Sequence, residues 1–305
     1  MPSDLIIETQ TAIASFSLDG GCIASYAIKK DGTAYHILRP YQQESSVSFS
    51  PLSAASFPLI PYSNRIKHGK FTFDDQSYQL ALNFADHPHS IHGTSWQKLW
   101  QIKEQSESQI ILELNYISRG KTSGDWPFNF KAVQTFNLTG NDLTQQISVT
   151  NTGNDQMPLG LGMHPYFPKR KNTRLKANAP KVWTTDQTCL PQELVECPGH
   201  WDLNTNLLVE NLECDNQFEP WDGKAQIHWP EDKITVDLSA SSNLNRLIVY
   251  APKNENFFCV EPTSHITNAL NSSSKGMSLQ DTGIHVLAPQ KAIEGWMKFK
   301  VNAEF

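Results

Sequence analysis

Hydrophobic and polar residues alternate with a period of two along much of this chain. Ile110, Leu112, Leu114 and Tyr116 share one face of an extended segment, and Phe128, Phe130, Ala132, Phe136 and Leu138 share one face of the next, with mostly polar residues between. That period belongs to half-buried β-strands, because successive side chains point to opposite faces. Leu143 to Thr150 and Ile234 to Ala240 repeat it. Turn-forming residues separate the runs at Asp74-Asp75, at Thr139-Gly140-Asn141-Asp142 and at Asn151-Thr152-Gly153-Asn154, the spacing of a meander or sandwich. Stretches with a 3.6-residue period are scarce, and 18 prolines with 16 glycines interrupt most candidate helices, which disfavours a doubly wound α/β fold. The pattern predicts an all-β protein. No fixed-period repeat, low-complexity linker or charge block divides the 305 residues, so the expectation is one large β domain over residues 1–305 rather than a propeller or solenoid.

Composition narrows the class of function. The hydrophobic fraction of 39% and charged fraction of 18% are those of a globular protein. No apolar run approaches the roughly 18 residues that span a bilayer, so no transmembrane helix is expected. Met1 to Ser15 lack the basic start, apolar core and small-residue cleavage site of a secretory signal, which makes the cytoplasm the expected location. Cys22, Cys189, Cys197, Cys214 and Cys259 form an odd set without a C-x-x-C pair, against both a disulfide framework and a zinc knuckle. With 25 basic and 31 acidic residues the formal net charge is -6, and the longest basic run is Lys169 to Lys171. The electrostatic footprint of a nucleic-acid binder is missing. A neutral small molecule suits this balance better.

Four short islands carry the candidate chemistry. Asn64 and Arg65 lie in the run Pro61 to Phe71; His92 and Gly93 precede Trp96; His164 lies in Gly160 to Pro168; Glu261 and Pro262 follow Phe257, Phe258, Cys259 and Val260. Pro165 biases His164 toward an extended conformation, and partial burial with a neighbouring carboxylate would set its proton affinity for donation. Glu261 ends an apolar strand-like run, where a carboxylate is costly unless satisfied and can be tuned as a base. Arg65 offers five fixed donors for sugar hydroxyls or a carboxylate. Each has a plainer reading: a satisfied core histidine, a capped turn, a surface ion pair.

His87, His89 and His92 also raise a metal site of the cupin kind, since His-x-His on a strand puts two rings on one face. No carboxylate stands three to five residues after His89, where Gly93 and Thr94 lie, so no metal is expected and His92 alone is kept. Trp96, Tyr166, Phe218 and Trp221 are candidate stacking platforms for sugar C–H faces, against the ordinary reading of aromatic core. Asp215 and Asp222 are the acids most suited to face a ligand, although Asp222 before Gly223 reads easily as a turn. No GxGxxG, GxxxxGK[ST] or GxSxG motif occurs, which sets aside nucleotide and serine-hydrolase chemistry.

Taken in order, Asn64-Arg65-Ile66 with the following His68-Gly69-Lys70-Phe71, Ile91-His92-Gly93 with Trp96, Gly162 to Pro168, and Cys259 to Pro262 resemble the aldose 1-epimerase (galactose mutarotase) family. The resemblance runs from about Asn64 to Ala288, with further matches at Asp215 to Gly223 and Leu287-Ala288-Pro289. It implies a large antiparallel β-sandwich of the galactose mutarotase-like supersandwich type. It also implies interconversion of the α and β anomers of a free hexose without a cofactor. In that reading His164 is the general acid at the pyranose ring oxygen and Glu261 the base at the anomeric hydroxyl, while Arg65, His92, Asp215 and Asn64 bind the sugar. Asn216 departs from the histidine of many galactose mutarotases, which puts galactose specificity in question. Three alternatives stand beside it: hexose-6-phosphate epimerisation, which needs converging arginines; a non-catalytic carbohydrate-binding or sensor protein; and the metal-dependent cupin. The expected partner is a small sugar, not a nucleic acid or a membrane, in a monomer or homodimer.

Overall fold

The alternating segments become long antiparallel strands. The structure is a computed structural model and describes residues 5–41 and 50–304, apart from the side chains of residues 273–275. The strands Gln109–Tyr116, Phe130–Thr139, Asp142–Asn151 and Ile234–Ala240 fall where the pattern placed them. Phe128 precedes its strand rather than joining it. Asp74 and Asp75 both take positive φ, of 50° and 56°, and turn the hairpin Lys70–Phe73 to Gln76–Gln79, the geometry that short Asp-rich hairpin turns favour.

These strands belong to a nine-stranded sheet whose order runs Gln101–Gln105, Gln109–Tyr116, Phe130–Thr139, Asp142–Asn151, Ala292–Ala303, Ile234–Ala240, Lys224–Trp229, Arg174–Ala177 and Leu207–Leu208. Its inner face supplies Phe136, Ile147, Val236, Met297 and Phe299, all buried. With Gln145, also buried there, Gln134 is a polar member of the alternation on this face. Its amide donates to Gly21 O at 2.8 Å and accepts from Gln145 Nε2 at 2.7 Å, which removes most of the desolvation cost.

A second sheet carries the cleft. Pro191–Glu196, Lys181–Thr185, Cys214–Glu219, Arg246–Ala251 and Phe257–Thr263 are neighbours in that order, and Phe257–Thr263 pairs on its other side with both Gly162–Met163 and Tyr166–Pro168. Phe167 meets Phe299 of the first sheet at 6.0 Å between ring centroids, and the Trp229 indole donates to Pro168 O at 3.0 Å. The two large sheets therefore close on one apolar core. A four-stranded sheet of Ile6–Glu8, Ala12–Ser17, Cys22–Lys30 and Thr33–Leu38 packs against it through Phe16 on Phe136 and Tyr26 on Phe299. The fold is all-β, a large antiparallel β-sandwich. Among the described residues the one α-helical segment is Leu279–Thr282, and no helix is long and apolar enough to cross a membrane.

Phe257–Thr263 differs from the regular strands in being buried on both faces after its first residue. Phe258 and Val260 enter the main core. Cys259 joins a separate small cluster with Phe57, Trp96 and Tyr166 beneath the cleft. A strand covered on both sides has no polar face to alternate, so it reads in sequence as the continuous apolar run ending at Glu261.

Candidate active site

Register alone brings His164 and Glu261 together. Gly162 pairs with Thr263 and Tyr166 pairs with Cys259, so the residue midway on one strand, His164, lies opposite the residue midway on the other, Glu261. Pro165 follows His164 and can donate nothing to the ladder, which splits this strand in two at His164. The backbone N–H groups of His164 and Tyr166 instead donate outward to Phe57 O at 3.1 Å and Ala55 O at 2.9 Å. His164 Nε2 lies 3.3 Å from Glu261 Oε1, with both side chains almost wholly inaccessible.

Aromatic stacking fixes the imidazole plane. Phe57 and Tyr166 each stack on His164, with a centroid separation of 4.6 Å and interplanar angles of 25° and 21°, and lie 6.2 Å from each other. The Arg39 guanidinium lies 3.8 Å over the Tyr166 ring and donates to Leu52 O and Ala54 O, tying that ring to the segment that holds Phe57.

Burial acts on both members of the pair. It drives the His164 imidazole down to about 3, with the positive charge of Arg39 adding to the effect. It drives the Glu261 carboxyl well above the carboxylate range, an effect reinforced by Asp215 and opposed by Arg65. Both shifts favour uncharged forms, so the two groups together hold one mobile proton. Glu261 Oε2 and His164 Nδ1 are buried without hydrogen-bond partners. Leaving such atoms unmatched costs about 1–3 kcal/mol each.

The wall of the cleft comes from the Asn64-Arg65 and His92-Gly93 islands, joined as the short ladder of Arg65–Ile66 with Ser90–Ile91. Arg65 is held in three directions: Nη2 donates to Asp215 Oδ2 at 2.9 Å, Nη1 to Asn64 Oδ1 at 2.9 Å and Nε to His87 Nε2 at 3.4 Å. The Asn64 backbone N–H donates to His92 Nδ1 at 3.2 Å, which puts the ring proton on Nε2. Burial, with His164 and Arg65 nearby, holds His92 far below the usual histidine range. His92 is thus a neutral donor beside His164, with ring centroids 5.1 Å apart. Gly93 is required where it stands: its φ is 72°, and a Cβ there would sit 2.1 Å from Ile60 O.

Asn64, Arg65, His92, Asp215, His164 and Glu261, the six residues singled out from sequence, all line this one cleft. Of the proposed aromatic platforms, only Tyr166 does. Trp96 packs behind Phe57 in the satellite cluster, while Phe218 and Trp221 are in the main core. Phe218 lies an odd number of positions from Asp215 on its strand and so faces inward. The same alternation turns Asn216 away from the cleft, where its amide donates to Trp183 O at 2.9 Å. Its side chain is therefore not among those that line the cleft. Asp222 caps a turn by accepting from Lys224 N.

The cupin arrangement does not form. His89 is turned to Thr188 Oγ1 at 3.0 Å and to the backbone N–H of His68, whereas His92 faces the cleft. His87 lines the cleft beside Arg65 instead of joining a metal triplet.

Several supports were invisible in the sequence. Asn83 clamps both flanks of His92, donating to Ile91 O at 2.8 Å and Gly93 O at 3.0 Å and accepting from Ile91 N at 2.7 Å. His265, fully buried, accepts from Ser63 N at 2.9 Å through Nε2 and lies 2.7 Å from Ile266 O through Nδ1. It props the backbone just before Asn64 and Arg65. Gly160 leaves room for its ring, since a Cβ there would come within 2.0 Å of it. Phe57, Phe84, Ile248 and Tyr250 also line the cleft. None of these carries a local motif, and the pairing of Ile248 with Glu261 and of Tyr250 with Asp215 is a property of the sheet.

Comparisons with known proteins bear on the family and the fold. A profile of the aldose 1-epimerase family matches residues 5–300. The chain is 30% identical over 237 residues to the uncharacterised protein YphB of Escherichia coli (strain K12), covering 75% of this chain and 78% of that one. Among solved structures, a candidate aldose 1-epimerase from Escherichia coli K12 superposes with a TM-score of 0.85 at 26% identity, over 98% of both chains. A galactose mutarotase-like protein from Clostridium acetobutylicum shares the fold, with a TM-score of 0.84 at 22% identity over 98% of this chain and 95% of that one. With a family match over nearly its whole length, the chain belongs to the aldose 1-epimerase family.

Proposed function

We propose that this protein is an aldose 1-epimerase that interconverts the α and β anomers of a free, uncharged hexose. The observation that carries the proposal is the His164–Glu261 pair, 3.3 Å apart at the cleft, two groups whose burial favours their uncharged forms. Mutarotation needs one proton delivered to the ring oxygen and one taken from the anomeric hydroxyl. A pair that shares a single proton does both without net charge change.

In the proposed cycle a bound pyranose offers its anomeric O–H to the unpartnered Glu261 Oε2. That hydrogen bond, with the Arg65 charge, favours the carboxylate and moves the shared proton to His164. His164 then protonates the ring oxygen while Glu261 takes the anomeric proton, and the C1–O5 bond breaks to give the open aldehyde. Rotation about C1–C2 presents the other carbonyl face. Reclosure with the roles reversed returns both protons to their starting groups. Arg65, His92, Asp215 and Asn64 hold the hydroxyls. Positioned acid or base groups contribute roughly 10² to 10⁴ in rate each, and orientation of the sugar adds to it.

The cleft favours an uncharged sugar over a phosphorylated one. Among the described lining residues Arg65 is the one guanidinium, and it already pairs with Asp215. A phosphate dianion is bound best by several converging cationic donors, and Asp215 would repel it. Polarimetry and saturation-transfer NMR on fresh α-anomers provide the test. Exchange of at least one free hexose should be accelerated more than exchange of any hexose 6-phosphate. Faster exchange of a 6-phosphate would contradict the substrate class, and no acceleration of any sugar would contradict the reaction.

A further inference from the structure

We propose that the cleft contains a site for a thiophilic divalent cation, Zn²⁺ or its optical stand-in Co²⁺, formed by His164, Cys259 and Glu261. The ligating atoms of these three buried residues lie within 4.8 Å of one another. The topology explains why. Cys259 and Glu261 are two residues apart on one strand and project to the same face, and His164 stands opposite Glu261 on the neighbouring strand.

Tetrahedral zinc with bonds of about 2.0–2.3 Å needs ligand atoms separated by roughly 3.3–3.8 Å. The 3.3 Å between His164 Nε2 and Glu261 Oε1 already meets that. Small side-chain rotations of Cys259, which sits between Tyr166 and Tyr250 in the sheet, would supply the third ligand. Glu261 Oε2, buried and unpartnered, offers a further oxygen on the same face. One imidazole, one sulfur and one carboxylate select borderline-soft cations over Ca²⁺ or Mg²⁺, which prefer all-oxygen cages. His164 and Glu261 both line the cleft, so the cation enters by the sugar's route and a water completes its shell.

Coordination releases the thiol proton to solvent, since the thiolate is the ligand. It also occupies the lone pairs that hold the shared proton of the pair. Bound cation therefore excludes the acid–base exchange, and sugar and cation compete. This inhibitory consequence rests on the roles proposed above for His164 and Glu261, whereas the binding itself does not.

Two readouts separate the claims. Titration of the sugar-free protein with Co²⁺ should give a near-ultraviolet thiolate-to-cobalt charge-transfer band that Cys259→Ser and Cys259→Ala both lose, while His89→Asn, at the histidine-rich rim, keeps it. Anomer exchange should be inhibited by Zn²⁺ in competition with sugar. Cys259→Ser should raise the Zn²⁺ concentration for half-inhibition about tenfold or more with little change in the zinc-free rate. Absence of the band in wild type, or its survival in both Cys259 variants, overturns the site. A band without competition between Zn²⁺ and sugar keeps the site and overturns the inhibitory link. An inactive protein that still shows the band would count against the proposed activity alone.

Discussion

The floor of the cleft and the prop beneath its wall each contain a buried histidine, and the two are treated in opposite ways. His265 has backbone groups at both ring nitrogens, the Ser63 N–H at 2.9 Å and the Ile266 carbonyl at 2.7 Å. His164 has Glu261 at one nitrogen and no partner at the other. Burial lowers both, His265 to about 4 and His164 to about 3. Depth and proton affinity therefore do not separate a structural histidine from the one proposed to react. Satisfaction does: a fully bonded ring stabilises one conformation, while an unmatched pair holds polar capacity that a ligand can complete.

Replacing a member of the unmatched pair should have the largest effect, and it should fall on rate. His164→Asn is expected to slow anomer exchange by about 10² to 10⁴, while the Phe57 and Tyr166 rings keep the site packed and the melting temperature changes little. Equal losses of rate and stability would erase the distinction between the two histidines.

At the prop the expected effect is smaller and falls on stability. His265→Leu leaves the Ser63 N–H buried without its acceptor, which should cost about 2–4 kcal/mol of unfolding free energy at pH 7 by chemical denaturation. Turnover of the folded fraction should stay within about tenfold. The pH dependence has a definite sign. The folded ring resists protonation down to about pH 4, whereas the unfolded ring takes a proton near 6.5. The unfolded state therefore binds more protons between those values, and wild type loses stability as pH falls through that window. The Leu variant lacks this term, so its deficit should narrow by roughly 2 kcal/mol between pH 7 and pH 5. A deficit that widens toward pH 5 would mean that His265 is charged in the fold.

The same contrast explains what the sequence could disclose. Regular strands such as Gln109–Tyr116 and Ile234–Ala240 were legible because one face is wet and the other dry. Phe257–Thr263, dry on both faces, could be read only as an apolar run, and Gln134 was hidden because its partners Gly21 and Gln145 come from elsewhere in the chain. Five of the six proposed site residues, all but Asp215, were legible as short islands because each stands in a local pattern of proline, glycine or aromatics. Asn83, His265, Phe57 and Arg39 stand in no such pattern. Their significance comes from hydrogen bonds and stacking across 8 to 202 residues of separation, which only the folded register creates. Alternation along the strand could have warned that Asn216 and Phe218 face away from Asp215, had the strand Cys214–Glu219 been recognised.

The most direct test of the shared-proton pair is Glu261→Gln, measured for anomer exchange by saturation-transfer NMR and for melting temperature at pH 7. The fold raises the Glu261 carboxyl well above its unfolded value of about 4.5, so burial of this group opposes folding at pH 7. An isosteric amide removes that opposition along with the proton. The prediction is a loss of exchange of about 10² to 10⁴ in a protein at least as stable as wild type. Exchange at the wild-type rate in Glu261→Gln would contradict the central claim.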